Sequence, residues 1–308
     1  MKVLSHNLHK SNHELDREIT QFIESSREII FGKDREMKLA LTALIARGHI
    51  LIEDIPGVGK TTFVMCLAQL LGLKMNRVQF TNDLLPADIL GTSIYDPKNS
   101  AFRFHPGPIF AEIVLGDELN RASPKTQSAF LQAMEERRVT IDGHTHELPK
   151  PFFIIATQNP QTQVGTYPLP ESQLDRFMMR LTLGYPNHEA EKKILSGGDP
   201  RLRIDQLKPV MSREKLFEIQ NKVDSVHVSE ALIHYVQDIL TFSRSRQSGL
   251  SPRAGLMLVQ TARAWAYING RNLVLPEDIQ DVLASVVDHR LEHQSLKAEA
   301  IIQAVEIP

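Results

Sequence analysis

The sequence predicts an α/β fold in which a parallel-sheet core precedes a smaller all-helical part. Three observations carry this. The runs "HILIED", "RVQF", "EIVLGDE", "FFIIATQ" and "RFMMRLTL" are short and near-continuously apolar, as strands buried on both faces of a parallel sheet are. Helical patterns separate several of them. After Pro186 only helical periodicity remains.

Taken in order, Leu15, Ile19, Phe22 and Ile23 fall at helical spacing and give an amphipathic first helix. "IIFGKD" breaks it. Met37, Leu41, Leu44 and Ile45 mark a second helix that Gly48 stops. "HILIED" then feeds a glycine loop, and Val64, Leu67, Ala68 and Leu71 form the buried stripe of a helix ending at Gly72. "TSIYDPKNSAFRF" alternates around a turn, and "RVTIDGHTHEL" holds an Asp-Gly pair between alternating segments, so both predict hairpins. The sheet part ends near Tyr185-Pro186, which divides the chain into 1–185 and 186–308. Beyond it Ser212 and Ser229 cap two helices, and Ser251 with Pro252 opens a third that stops at Gly270. "PEDIQDVLASVVDHRL" begins a fourth.

Length and charge bound the function. At roughly 150 residues per domain, 308 residues suit two domains. A formal net charge of −2 provides no global basic field for nucleic acid or anionic membrane. The single Cys66 has no internal disulfide partner, which fits a reducing cytoplasm and a small buried apolar role. The N-terminus lacks a signal-peptide core, and no apolar run approaches the roughly 20 residues that span a bilayer. A soluble cytoplasmic protein without membrane insertion is expected.

The chemistry starts in "ILIEDIPGVGKTTFV". The phosphate-loop signature G-x-x-x-x-G-K-[ST] wants glycine where this chain has Asp54. Backbone N–H groups, an ammonium and a hydroxyl do the cradling, and Gly57, Val58, Gly59, Lys60, Thr61 and Thr62 supply them. Asp tolerates unusual φ, so Asp54 removes no phosphate contact. A bare GKT is also an ordinary helix start. Downstream, Asp117-Glu118 close an apolar strand. A nucleoside triphosphate site needs one carboxylate for hydrated Mg²⁺, the role Asp117 suits, and one to deprotonate the attacking water, the role Glu118 suits. A solvated acidic turn is the blander reading. Asn159 ends another buried strand and points at the crevice where such sheets bind ligands, although an Asn before Pro is often only a turn residue.

The ordered set "EDIPGVGKTT", "DELNRASPKTQSAFLQAMEERRVTIDG", "ATQNP", "ESQLDRF" and "SPRA" resembles the MoxR family of AAA+ ATPases from about Phe31 onward. Acidic replacement of the first loop glycine occurs in that family. The resemblance implies a P-loop AAA+ core with a helical lid, binding ATP and Mg²⁺. It makes Lys60 the loop lysine, Thr61 and Asp117 the metal-side residues, and Glu118 the catalytic carboxylate. It makes Asn159 the sensor-one residue and Arg176 an arginine finger for a neighbouring subunit. Arg253 becomes the sensor-two arginine, in the first turn of its predicted helix and facing the crevice.

The resemblance further implies a ring-shaped homo-oligomer, a hexamer, whose two hairpins face the pore. It implies an ATP-driven remodeller of a separate protein, often one with a von Willebrand factor A domain, in complex maturation or metal-cofactor insertion. A nucleic-acid motor is the alternative. It wants basic or aromatic hairpin tips, whereas one tip is Ile141-Asp142-Gly143-His144 and the other, around Lys98 and Arg103, is only mildly basic. A scaffold without turnover is disfavoured by the full residue set. His144 and His146 share a hairpin face but are two ligands short of a zinc set. Trp265 and Tyr267 are expected in lid packing.

Overall fold

A computed structural model describes residues 17–159, 165–197, 199–245, 249–291 and 296–308. Leu15 of the first predicted helix lies outside them. Helices α1 (Arg17–Ser26) and α2 (Asp34–Ile45) precede β1 (Ile50–Glu53), and α3 (Lys60–Leu70) follows the glycine loop. Next come β2 (Met75–Gln79), α4 (Pro86–Leu90), the hairpin of β3 (Gly91–Asp96) and β4 (Ala101–Pro106), β5 (Ile113–Asp117) and α5 (Pro124–Glu136). A second hairpin, β6 (Arg138–Ile141) and β7 (His144–Glu147), leads to β8 (Phe153–Gln158), α6 (Glu171–Leu174) and β9 (Met179–Leu181). The rest is helical: α7 (His188–Gly197), α8 (Arg201–Ile204), α9 (Arg213–Asp224), α10 (Glu230–Arg244), α11 (Pro252–Ile268), α12 (Pro276–Val287) and α13 (Ala298–Ala304).

Five strands form one parallel sheet in the order β2-β5-β8-β1-β9. Every residue of β5 and β8 is buried, which is why both read as continuous apolar runs rather than alternating ones. Apolar burial divides the two sheet faces. On one face Ile52, Leu115 and Ile155 join a cluster with Leu41, Leu67, Ile219 and Leu283. The C-terminal helices therefore share a core with α2 and α3. On the other face Val114 and Ile154 pack with Phe80, Phe130 and Phe177. Both predicted hairpins form, and Phe104 of the first stacks on His146 of the second with ring centroids 3.9 Å apart.

The hydroxyls of Ser212, Ser229 and Ser251 accept N–H groups in the first turns of α9, α10 and α11, each such cap stabilising its helix by about 1 kcal/mol. One element is shorter than the sequence predicts. "RFMMRLTL" contributes only Met179–Leu181 to the sheet, because residues 175–177 are drawn into a turn. Buried Arg290, just after α12, donates to the carboxylate and carbonyl of Asp175 and to the carbonyl of Phe177. Among the described residues no helix is long and apolar enough to cross a membrane.

Candidate active site at the glycine loop

The loop from β1 to α3 has Gly57 and Gly59 at φ +87° and +90°, a region that side-chain-bearing residues rarely occupy. Gly59 is the N-cap of α3, and no side chain caps this helix. The helix start is left as a backbone anion cradle. Lys60 is buried, and its ammonium donates to the Asp54 carbonyl at 2.5 Å and to Asn159 Oδ1 at 2.9 Å. Burial pushes the Lys60 pKa down, while the carboxylates of Asp54, Asp117 and Glu118 pull it back.

Asp117 and Glu118 lie at the carboxyl end of β5, beside β8 and Asn159. Thr157 donates its hydroxyl to Asp117 Oδ1 at 2.6 Å and accepts the Glu118 N–H at 2.9 Å. Thr61 Oγ1 stands 3.4 Å from Asp117 Oδ2. A hydroxyl and a carboxylate are hard oxygen donors that suit Mg²⁺, which takes few protein ligands and fills its octahedron with water and phosphate oxygens. No cluster of three His, Cys, Asp or Glu occurs among the described residues; His146 instead stacks on Phe104. Glu118 sits at φ +56°, an uncommon backbone for a non-glycine residue. Its carboxylate accepts from Asn159 Nδ2 at 3.1 Å, Gln79 Nε2 at 3.2 Å and Arg121 at 2.9 Å. Thus Gly57, Gly59, Lys60, Thr61, Thr62, Asp117, Glu118 and Asn159 line one cavity of about 340 Å³. Val58 is partly buried against the core.

The two arginines go elsewhere. Arg176 and Arg253 line a different cavity of about 230 Å³, together with Arg47, Arg137, His49 and Glu135. Glu135 pairs with Arg176 at 3.0 Å and with Arg253 at 2.5 Å. Arg253 therefore does not face its own chain's glycine loop. The lid holds the Arg176 turn in place, since Ser251 and Arg290 both donate to the Asp175 carboxylate.

Sequence reasoning missed Arg77, which donates to Asp117 Oδ2 at 2.7 Å, as well as Gln79, Arg121, Thr157, Glu135 and Arg290. A signal existed for the first two. Arg77 and Gln79 alternate on one face of β2, and Gln79 pairs in register with Asp117.

A parallel sheet with an uncapped helix after a glycine loop, a buried lysine and two carboxylates at the strand ends defines a P-loop nucleoside triphosphatase. Residues 49–179 match the model of the ATPase family associated with various cellular activities (AAA), and residues 242–308 match an AAA lid domain. The chain is 44% identical over 299 residues to the uncharacterized protein YeaC of Bacillus subtilis, covering 93% of each chain. It is 39% identical over 293 residues to chaperone MoxR1 of Mycobacterium tuberculosis, covering 91% of this chain and 76% of that one. To protein MoxR of Paracoccus denitrificans it is 30% identical, covering 85% of each. A crystal structure of a candidate ATPase from Cytophaga hutchinsonii superposes with a TM-score of 0.84 at 35% identity, covering 94% of this chain and 95% of that one. The chain belongs to the MoxR family of AAA+ ATPases, enzymes that bind and hydrolyse ATP.

Proposed function

We propose that this ATPase works in the cytoplasm as a hexameric ring that hydrolyses ATP between subunits and remodels a separate protein partner. The observation that carries the reading is the separation of the two cavities. Lys60, Asp117, Glu118 and Asn159 gather in one, while Arg176 and Arg253 gather on Glu135 in the other. Arg201 lines the glycine-loop cavity, but Arg176 and Arg253 are turned away from it toward Glu135, an arrangement that makes sense when neighbouring copies complete each other. The division into a core, 1–185, and a lid, 186–308, fits this reading, with the lid presenting Arg253 and bracing Arg176.

In this mechanism the N–H groups of residues 57–62 and the Lys60 ammonium bind the phosphates. Thr61 and Asp117 would hold Mg²⁺, which when bound offsets phosphate charge. Glu118 takes the proton of the attacking water, and Asn159, already hydrogen-bonded to both Lys60 and Glu118, orients that water. Arg176 and Arg253 of an adjacent copy meet the charge that develops on the γ-phosphoryl group.

The name of the Mycobacterium relative supports a chaperone-like role. The family resemblance supports a partner with a von Willebrand factor A domain, and complex maturation or metal-cofactor insertion as the task. A Glu118→Gln chain loaded with ATP tests this as bait in a cell extract. The reading predicts a defined protein retained with ATP and released without it. Retention of nucleic acid instead, or protein capture that ignores ATP, contradicts it.

A further inference from the structure

Asp54 stands where the phosphate-loop signature has glycine, and its partners are ones that glycine cannot hold. Its side chain is buried, with the residue 6% exposed. Oδ2 accepts the N–H groups of Leu183 and Gly184, both at 2.6 Å, and Oδ1 accepts the N–H of Ile55 at 2.8 Å. Successive N–H groups converging on one oxygen form an anion-binding nest. Gly184, at φ +62°, supplies the left-handed residue of that nest. The backbone carbonyl of the same Asp54 accepts the Lys60 ammonium.

Residues 183–185 are the segment by which the chain leaves β9 for the helical lid. Lys33 grips them from the other polarity, donating to the carbonyls of Leu183 and Tyr185. The segment is therefore fixed on its N–H groups by the glycine loop and on its carbonyls by the residue before α2. A glycine at position 54 would leave two adjacent N–H groups of this junction without their acceptor, at a cost in a partly buried site.

We propose that Asp54 is a positioning residue that couples occupancy of the glycine loop to the attitude of the lid. The inference rests on the ATP site described above and deepens it. Phosphate competes with the Asp54 carbonyl for the Lys60 ammonium. Once Lys60 turns to phosphate, the 54–55 peptide loses its buried donor and readjusts. The carboxylate on that residue transmits the readjustment to Leu183 and Gly184, and through them to the lid. The lid carries Arg253 and holds Asp175 beside Arg176 through Ser251 and Arg290. One residue thus links a subunit's own nucleotide to the arginines it presents to its neighbour.

The test uses the full chain, with spin labels on cysteines introduced at Lys125 of α5 and Gln237 of α10. Both positions are exposed, whereas Cys66 is buried and stays unlabelled. In the parent, ATP shifts the distance distribution between the labels. Asp54→Gly binds ATP with a Kd within about threefold of the parent, loses that shift, and hydrolyses ATP about tenfold more slowly at saturation. Asp54→Asn keeps an oxygen for Ile55 but sets an amide N–H₂ against two donors, and behaves the same way without glycine's added backbone freedom. A full ATP-dependent shift in both variants overturns the proposal, as does a parent whose label distance ignores bound ATP. Loss of ATP binding in both variants also overturns it, because Asp54 would then serve the phosphate loop alone. A parent that fails to bind ATP strikes the ATP-site reading itself, and the coupling falls with it.

Discussion

The Glu135 carboxylate, near the end of α5, joins Arg176 and Arg253, with Oε2 at 3.0 Å from one guanidinium and Oε1 at 2.5 Å from the other. These arginines are 77 positions apart in sequence (253 − 176), one in the turn after α6 and one in the first turn of α11. A cation in a helix's first turn opposes the helix dipole. An anion beside it relieves that cost, and Glu135 is that anion here. In the proposed ring, the γ-phosphate of a neighbouring subunit's ATP takes its place.

Removing Glu135 therefore tests orientation rather than stability. The three side chains are 28% to 45% exposed, so the pairs contribute less than about 1 kcal/mol each to folding. Glu135→Ala should keep the parent's Tm to within a few degrees and its ATP affinity, while hydrolysis at saturating ATP falls by about tenfold. Equal hydrolysis in variant and parent would show that the arginines find their target without it.

Lys60 and Glu118 should separate binding from turnover. Lys60→Ala removes the only side-chain cation that the glycine loop itself offers the phosphates and should abolish tight ATP binding. Glu118→Gln keeps the size and hydrogen-bonding shape of the side chain but cannot accept a proton. It should bind ATP normally and hydrolyse it at least about a hundredfold more slowly. Isothermal titration and a phosphate-release assay read the two effects, and near-normal hydrolysis in Glu118→Gln would mean that another group is the base.

Much of this arrangement was legible from local pattern, and the remainder depends on distant partners. Continuous apolar runs mark β1, β5, β8 and β9, since burial leaves that mark in the residues themselves, whereas β2, at the sheet edge, is mostly exposed and buries only Val78. Ser212, Ser229 and Ser251 announced their helices because a cap acts within three residues. The turn at 175–177 was invisible. It is held by Arg290, more than a hundred positions away, and nothing near Arg176 distinguishes a turn from the first residues of a strand. Asp54 read as a tolerable flaw in a motif because its partners, Leu183 and Gly184, lie across the fold. Glu135, on a helix of mixed polarity, gave no sign that both arginines would converge on it.

Stability should fall in mild acid through buried histidines. His49 is buried, and its Nδ1 accepts the Ile154 N–H at 2.9 Å. Burial, reinforced by Arg137, pushes its pKa down to about 3. His289 is buried and shifted the same way. The unfolded chain protonates these rings below about pH 6.5 while the folded chain leaves them neutral. The stabilisation is complete above that pH and is lost as pH falls toward 3. For His49 alone the loss at pH 5 is about 2 kcal/mol. Urea unfolding at pH 7 and pH 5 should show His49→Asn losing less stability than the parent over that interval. Identical losses would mean that His49 is not responsible.

Nucleic acid should leave the enzyme indifferent. The second hairpin turns at Asp142-Gly143 and the net charge is −2, so no cluster of phosphate-neutralising cations tops that hairpin. Added single- or double-stranded DNA should not raise the ATPase rate at low salt. A several-fold stimulation that disappears as salt rises would move the function toward a nucleic-acid motor.

If neighbouring copies complete each other's site, two variants that are inactive alone should rescue one another when mixed. Arg176→Ala keeps an intact glycine loop but lacks its finger, and should bind ATP yet lose a factor of about 10³ or more in hydrolysis. Lys60→Ala has a dead pocket and an intact Arg176. In verified mixed oligomers some intact Lys60 pockets face intact Arg176 side chains, so hydrolysis should return to a measurable fraction of the parent rate. If verified mixed oligomers stay as inactive as either variant alone, Arg176 acts within its own subunit or only supports the fold, and the shared site is wrong.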